Sequence, residues 1–134
     1  EQRRAAALAS VAALEAGADG LVHLAVDRAP DADLGRLAAA RGAFVIPTLT
    51  VLRSITGTGG GAPLVGDPRV APYLSRADSV TLVQGFPRRP GAPATSYAHA
   101  VAAVRALRAA RVPILAGTDA GNPGTSHGAA LHGE

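Results

Sequence analysis

Cysteine is absent from the 134 residues, so disulfides, thiolate-ligated zinc and thiol catalysis are excluded. Lysine is absent as well, and all 13 basic residues are arginine. We read that bias, with the abundance of alanine, as an effect of genome composition. Methionine is missing even at position 1, where Glu1 stands, which we read as the mark of a piece of a longer protein. Aromatic residues are limited to two tyrosines and two phenylalanines. The arginines are scattered singly or in pairs (Arg3–Arg4, Arg88–Arg89), so the net charge of +3 describes a solvated surface. A nucleic-acid-binding face concentrates its charge and offers stacking rings, so no nucleic-acid partner is expected. A long apolar run is also missing. The longest, Ala5 to Ala13, is broken by Ser10 and is too short and alanine-rich to span a bilayer, so no membrane partner is expected. No basic-plus-apolar leader opens the chain, and the expected location is cytoplasmic.

What remains is a chain with 48% hydrophobic and 17% charged residues, enough apolar material for the core of one domain over 1–134. Leu8, Val11 and Leu14 recur at helical spacing within a helix over 2–16, stopped by Gly17. The run from Gly20 to Val26, interrupted by His23, reads as a strand buried on both faces. A second helix carries Leu34, Leu37 and Ala38, capped by Asp31 or Asp33 and stopped by Gly42. A second strand runs from Ala43 to Val51, with Pro47 near its end or at a bulge. Residues 53–95 form an irregular insert rich in glycine and proline, with short helices around Arg69–Leu74 and Ala77–Gln84. Ser96 opens a third helix with Val101, Val104 and Leu107 inward and Arg105 and Arg108 outward. Arg111 holds the stop position where glycine is usual. Val112 to Gly117 reads as a third buried strand, followed by a loop and a last helix from His127. This alternation predicts an α/β fold with a parallel sheet, either an open doubly wound sheet or a (β/α)8 barrel.

In parallel α/β folds the site lies at the carboxyl ends of the strands. The polar residues expected there are His23, Thr48, Thr50, Thr118 and Asp119. A histidine within a short apolar strand is either a satisfied core residue or a ligand. Asp119 follows Ile-Leu-Ala-Gly-Thr directly, so its carboxylate should emerge where a buried strand stops, although aspartate is also a common turn residue. Imidazole and carboxylate together suit a divalent metal such as zinc, which lowers the pKa of a bound water to about 7. His127 is a further candidate for the substrate pocket. His127 and His132 are five apart and would lie on different faces of a helix. His99 reads as a surface or packing residue. The run Gly57-x-Gly59-x-x-Ala62 imitates a dinucleotide fingerprint, but Pro63 follows and no long helix opens at once.

Four segments carry a resemblance to a known family. They are Ala16 to Leu24 (AGADGLVHL), Pro47 to Thr50 (PTLT), Val112 to Gly121 (VPILAGTDAG) and Ser126 to Glu134 (SHGAALHGE). Together they resemble the amidohydrolase superfamily, nearest to its imidazolonepropionase-like hydrolases, and GTDAG is the most specific part. The resemblance implies a (β/α)8 barrel, with His23 at the end of the sixth strand and Asp119 at the end of the eighth. It implies one or two divalent metal ions, with Asp119 as metal ligand and proton shuttle. It implies that His23 either binds a second metal or sits beside the substrate. The family's His-x-His on the first strand, its fourth-strand lysine or glutamate and its fifth-strand histidine have no counterpart here. The chain therefore resembles a partial barrel, from the fifth helix to the start of the eighth, because a whole barrel takes about 250 residues.

The leading expectation is thus part of a metal-dependent hydrolase acting on the C–N bonds of a small-molecule amide or cyclic amide. Its partner would be the remaining N-terminal half of the barrel, and the isolated chain would be inactive. Two alternatives stand beside it: a nucleotide-binding α/β domain using Gly57–Gly61, and a non-catalytic α/β domain in which His23 and Asp119 are structural.

Overall fold

The computed structural model describes residues 5–87, 91 and 94–134. The expected helix start at Gln2–Arg4, the Arg88–Arg89 pair, Pro90 and Pro93 lie outside the described residues. The chain is mixed α/β: α1 (Ala5–Glu15), β1 (Gly20–Val22), α2 (Leu34–Ala40), β2 (Phe44–Ile46), α3 (Leu49–Ile55), α4 (Ala62–Val65), a 3₁₀ turn (Ala71–Tyr73), α5 (Arg76–Val83), α6 (Tyr97–Ala109) and a second 3₁₀ turn (Ala129–Gly133). It forms two compact units, Glu1–Pro47 with Pro93–Leu115 and Thr48–Ala92 with Ala116–Glu134.

The first unit holds the sheet. β1 and β2 pair in parallel, with Gly20 opposite Phe44, Leu21 opposite Val45 and Val22 opposite Ile46. A third segment joins β2 through a single parallel bridge between Val45 and Ile114. There the Val45 N–H donates to the Pro113 carbonyl at 2.9 Å and the Leu115 N–H donates to the Val45 carbonyl at 2.8 Å. The expected strand over 112–117 thus contracts to a bridge, and Pro113 contributes to that because it has no N–H to give a ladder. The other two strands are also shorter than the apolar runs that announced them. β1 ends at Val22 because His23 turns into the left-handed region, at φ 68°. β2 ends at Ile46, before Pro47, and Thr50 and Val51 belong to α3 and not to a strand. Nor is the sheet buried on both faces: Leu21 and Val45 are covered, whereas Val22 is 55% exposed.

Helices α1, α2 and α6 supply the rest of this unit's core. Leu14, Leu34, Ala38, Ala100, Ala103 and Leu107 are buried, and each fully buried leucine contributes about 2 kcal/mol of transfer free energy. The inward stripe of α6 is built mainly on Ala100, Ala103 and Leu107, with Val101 and Val104 only half-buried. Small residues serve here because α2 and α6 approach closely. A Cβ placed on Gly35 would sit 2.8 Å from the Ala106 carbonyl oxygen.

Four helices end in the same way. After α1, the Ala18 N–H reaches the Ala13 carbonyl and the Gly17 N–H reaches that of Leu14; after α2, Ala43 reaches Ala38 and Gly42 reaches Ala39. After α3, Thr58 reaches Arg53 and Gly57 reaches Ser54; after α6, Val112 reaches Leu107 and Arg111 reaches Arg108. These crossed bonds make the Schellman motif, which puts the residue after the cap in the left-handed region. Gly17, Gly42 and Gly57 occupy it at φ 95°, 64° and 74°, and Arg111 occupies it at φ 60°. The stop positions read from the sequence, the unusual arginine included, are where the helices stop.

The second unit is helical. The segment expected to be an irregular insert supplies α4, the first 3₁₀ turn and α5. Leu64, Val70, Leu82 and Ala130 form its core, with Val65, Leu74 and Ala129 packed against them. Ser75 opens α5 with a capping box: its hydroxyl oxygen accepts from the Asp78 N–H, and its own N–H donates to the Asp78 carboxylate. The glycine run at 57–61 is used for packing. The Gly61 N–H donates to the Gly124 carbonyl at 2.7 Å, and a Cβ on Gly61 would collide with Leu82. The helix that follows has four residues, so the run does not open the long helix of a dinucleotide site.

Candidate functional site

Backbone strain sets three residues apart. Outside the Schellman stop at Arg111, the non-glycine residues with positive φ among those described are His23 at 68°, Thr48 at 55° and Asp119 at 52°. All three had been singled out from the sequence, and each comes shortly after one of the three parallel segments. His23 directly follows β1, Thr48 is two residues past β2, and Asp119 is four residues past Leu115. Histidine and aspartate enter this region more readily than most residues, but a β-branched threonine there is an outlier. Each such residue costs about 1–2 kcal/mol, and strain of this kind persists only where the surroundings impose it, often at functional sites.

The units divide these residues. His23 belongs to the first unit, where its N–H donates to the Ile46 carbonyl at 3.0 Å and its side chain is exposed. Thr48, Asp119 and His127 belong to the second. Thr48 is 1% exposed and stands at the N-terminus of α3 without a side-chain cap bond. The capping work is done by Glu134, whose carboxylate accepts from the Leu49 N–H at 2.7 Å and the Thr50 N–H at 2.9 Å. The Thr50 hydroxyl, expected at a strand end, instead donates to the Ala130 carbonyl and ties α3 to the second 3₁₀ turn.

Asp119 heads a tight loop. Its carbonyl accepts from Asn122 Nδ2 at 2.9 Å and from the Thr125 hydroxyl at 3.4 Å, and Thr125 also donates to the Asn122 carbonyl at 2.8 Å. Asp119 itself is exposed. The loop brings Gly121 to the ring of His127, whose Nε2 would be 3.8 Å from a Cβ at that glycine. Asp119 and His127 therefore share one hydrogen-bonded loop. His99 lies on α6 in the first unit, where its Nδ1 meets the Val26 carbonyl at 3.2 Å, a packing role.

A cleft of about 220 Å³ lies within the second unit, and Arg69, Tyr73, Asp78, His127 and His132 contribute its polar groups. His127 and His132 reach the same cleft because the segment is a turn followed by a 3₁₀ helix and not the α-helix expected from His127 onward. Two carboxylates, Asp78 in the cleft and Asp67 paired with Arg69, have lowered pKa values. The Arg69 side chain, with help from its backbone N–H and from the nearby His132, lowers the Asp67 pKa to about 2. The Ser75 hydroxyl, then the Ser75 N–H and the nearby His127, lower that of Asp78. Apart from His127 and the passing notice of His132, sequence reasoning missed this cleft. Arg69 and Asp78 sit in the stretch taken as an irregular insert, and no motif marks them.

Among the described residues, no three His, Asp or Glu side chains gather as a metal-binding group, and no helix is long and apolar enough to cross a membrane. The chain matches no family model, no curated protein and no solved structure.

Proposed function

We propose that this chain is part of a metal-dependent hydrolase that cleaves C–N bonds of a small amide or cyclic amide. The observation that carries the reading is the left-handed backbone at His23, Thr48 and Asp119, each shortly after a parallel segment. In parallel α/β folds this is where catalytic side chains stand. Strain spent on a histidine, a threonine and an aspartate at such positions calls for a use.

The donors fit a divalent ion in kind, since imidazole and carboxylate are both good zinc ligands. By the resemblance, Asp119 would be a ligand of such an ion, with further ligands from outside this chain. Such an ion supplies Lewis acidity and a water that deprotonates near neutral pH. Asp119 would be placed to take a proton from an attacking water and to return it to the leaving nitrogen. His23 would polarise the carbonyl or anchor a second ion, as the resemblance implies. Of the two pocket candidates, His127 is exposed and would line the substrate side, whereas Thr48 is 1% exposed; the 119–127 loop holds Asp119 in place through its carbonyl.

The same reading makes the fold a partial (β/α)8 barrel whose partner is the remaining N-terminal half. Val22 at 55%, Leu115 at 47% and Ile114 at 37% exposure support it, because such apolar strand residues are normally covered. The short parallel strands also leave edges that a neighbour would pair. The test is metal analysis of the full-length protein, with an amide and lactam substrate panel. Bound zinc or a similar ion with turnover of at least one cyclic or linear amide is expected. A metal-free protein with no amide or lactam turnover would remove the proposal.

A further inference from the structure

The cleft in the second unit carries two charged side chains, Arg69 and Asp78, that the hydrolase reading does not use, and the inference drawn from them stands independently of that reading. Its volume of about 220 Å³ is below the roughly 300–1,000 Å³ typical of drug-sized sites, so its occupant is a small molecule. Its apolar wall is Val70, Leu74 and Ala129, which also pack into or against the unit's core and are therefore fixed in place.

The charges decide what kind of molecule fits. Arg69 gives Nε and Nη2 to Asp67, at 3.0 and 2.7 Å, and its Nη1 is not part of that pair. Asp78 spends Oδ2 on the Ser75 hydroxyl and N–H, at 2.6 and 3.1 Å, which orients its other oxygen. A lone anion drawn to Arg69 would share the region with the Asp67 and Asp78 carboxylates, and a lone cation drawn to Asp78 would lie in the same cleft as the Arg69 guanidinium. A ligand bearing both charges satisfies both walls, which is how charge complementarity sets specificity. The imidazoles of His127 and His132 can donate or accept beside it, and the Tyr73 ring, 86% exposed, offers a face to an ammonium group.

We propose that the cleft formed by Arg69, Tyr73, Asp78, His127 and His132 binds a small zwitterion of the α-amino-acid type. Its carboxylate faces Arg69, its ammonium group faces Asp78 and Tyr73, and its apolar side chain lies on Val70, Leu74 and Ala129.

The experiment is calorimetric titration of the 134-residue chain with L-leucine, N-acetyl-L-leucine and L-leucinamide. Leucine should bind saturably. Both blocked compounds should bind at least about tenfold more weakly, the effect of losing one charged hydrogen bond. Arg69→Gln should erase the preference for leucine over leucinamide, and Asp78→Asn should erase that over N-acetyl-leucine. Asp78 also caps α5, so circular dichroism must show that its variant is folded. The three ligands on the unmodified chain test the proposal without any variant. Absence of saturable binding by leucine, or equal or tighter binding by either blocked compound, overturns it.

Discussion

Arg111 allows a stability change to be worked from backbone geometry alone. It fills the left-handed position of the Schellman motif after α6, at φ 60°, and its side chain is exposed. An L-residue in that region places Cβ too close to the following carbonyl, at a cost of about 1–2 kcal/mol that glycine avoids. Glycine in turn loses more backbone freedom on folding, about 0.5–1 kcal/mol. Arg111→Gly should therefore stabilise the protein by about 0.5–1 kcal/mol. Arg111→Ala keeps Cβ and with it the strain, so it separates the backbone effect from the loss of the guanidinium. Gly42→Ala is the mirror experiment: the residue sits at φ 64° with nothing within 4 Å of an added Cβ. It should lose about 1 kcal/mol for the same reason. Urea denaturation reads each change as a shift in midpoint at unchanged slope. An Arg111→Gly protein no more stable than Arg111→Ala would refute the reasoning, and with it the use of positive φ as a measure of strain at His23, Thr48 and Asp119.

Three further outcomes follow from the packing and the charges. Gly35→Ala should destabilise by about 1–3 kcal/mol in the same assay, because its Cβ would press on the Ala106 carbonyl at 2.8 Å and force α2 away from α6. Ser54→Ala should be neutral or stabilising by up to about 1 kcal/mol, since the Ser54 hydroxyl is buried without a hydrogen-bond partner. Asp67, with its folded pKa lowered to about 2, contributes stability that is present above its ordinary carboxylate range and is lost as pH falls through about 2. A carboxyl-carbon NMR titration should place its midpoint near 2, and in Arg69→Gln the midpoint should return towards 3.8.

The sequence foretold α1, α2, α5 and α6 but not α3 or α4, and the strands only in part. Helix stops were readable because Gly17 and Gly42 supply a conformation most residues resist, and Arg111 stood where the same motif had to end. The short helices near Arg69–Leu74 and Ala77–Gln84 were also legible. Strand lengths were not. Apolar runs of seven to nine residues became strands of three, because a run reports burial and not pairing, and because His23 and Thr48 leave the extended region in ways no local pattern signals. Pro47 hinted at a break, but not that α3 would begin right after it. His23, Thr48 and Asp119 were visible as polar residues near the ends of apolar runs. Arg69 and Asp78 were not, since their meeting with His127 and His132 depends on the folding of the second unit. Glu134 was invisible for the same reason: its partners, Leu49 and Thr50, lie 85 and 84 positions away.

The central proposal is that Asp119 relays the proton in hydrolysis of a C–N bond, and turnover by Asp119→Asn in the full-length protein tests it most directly. Asparagine keeps the shape but is a poor ligand and no base. A carboxylate that acts in the transition state should show its loss in kcat and not merely in KM. The account predicts a fall in kcat of at least about a hundredfold, the lower end of what a positioned acid–base group contributes. His99→Ala, a packing change on α6, should leave kcat near that of the unmodified enzyme. Near-normal kcat in Asp119→Asn with metal still bound would contradict the account.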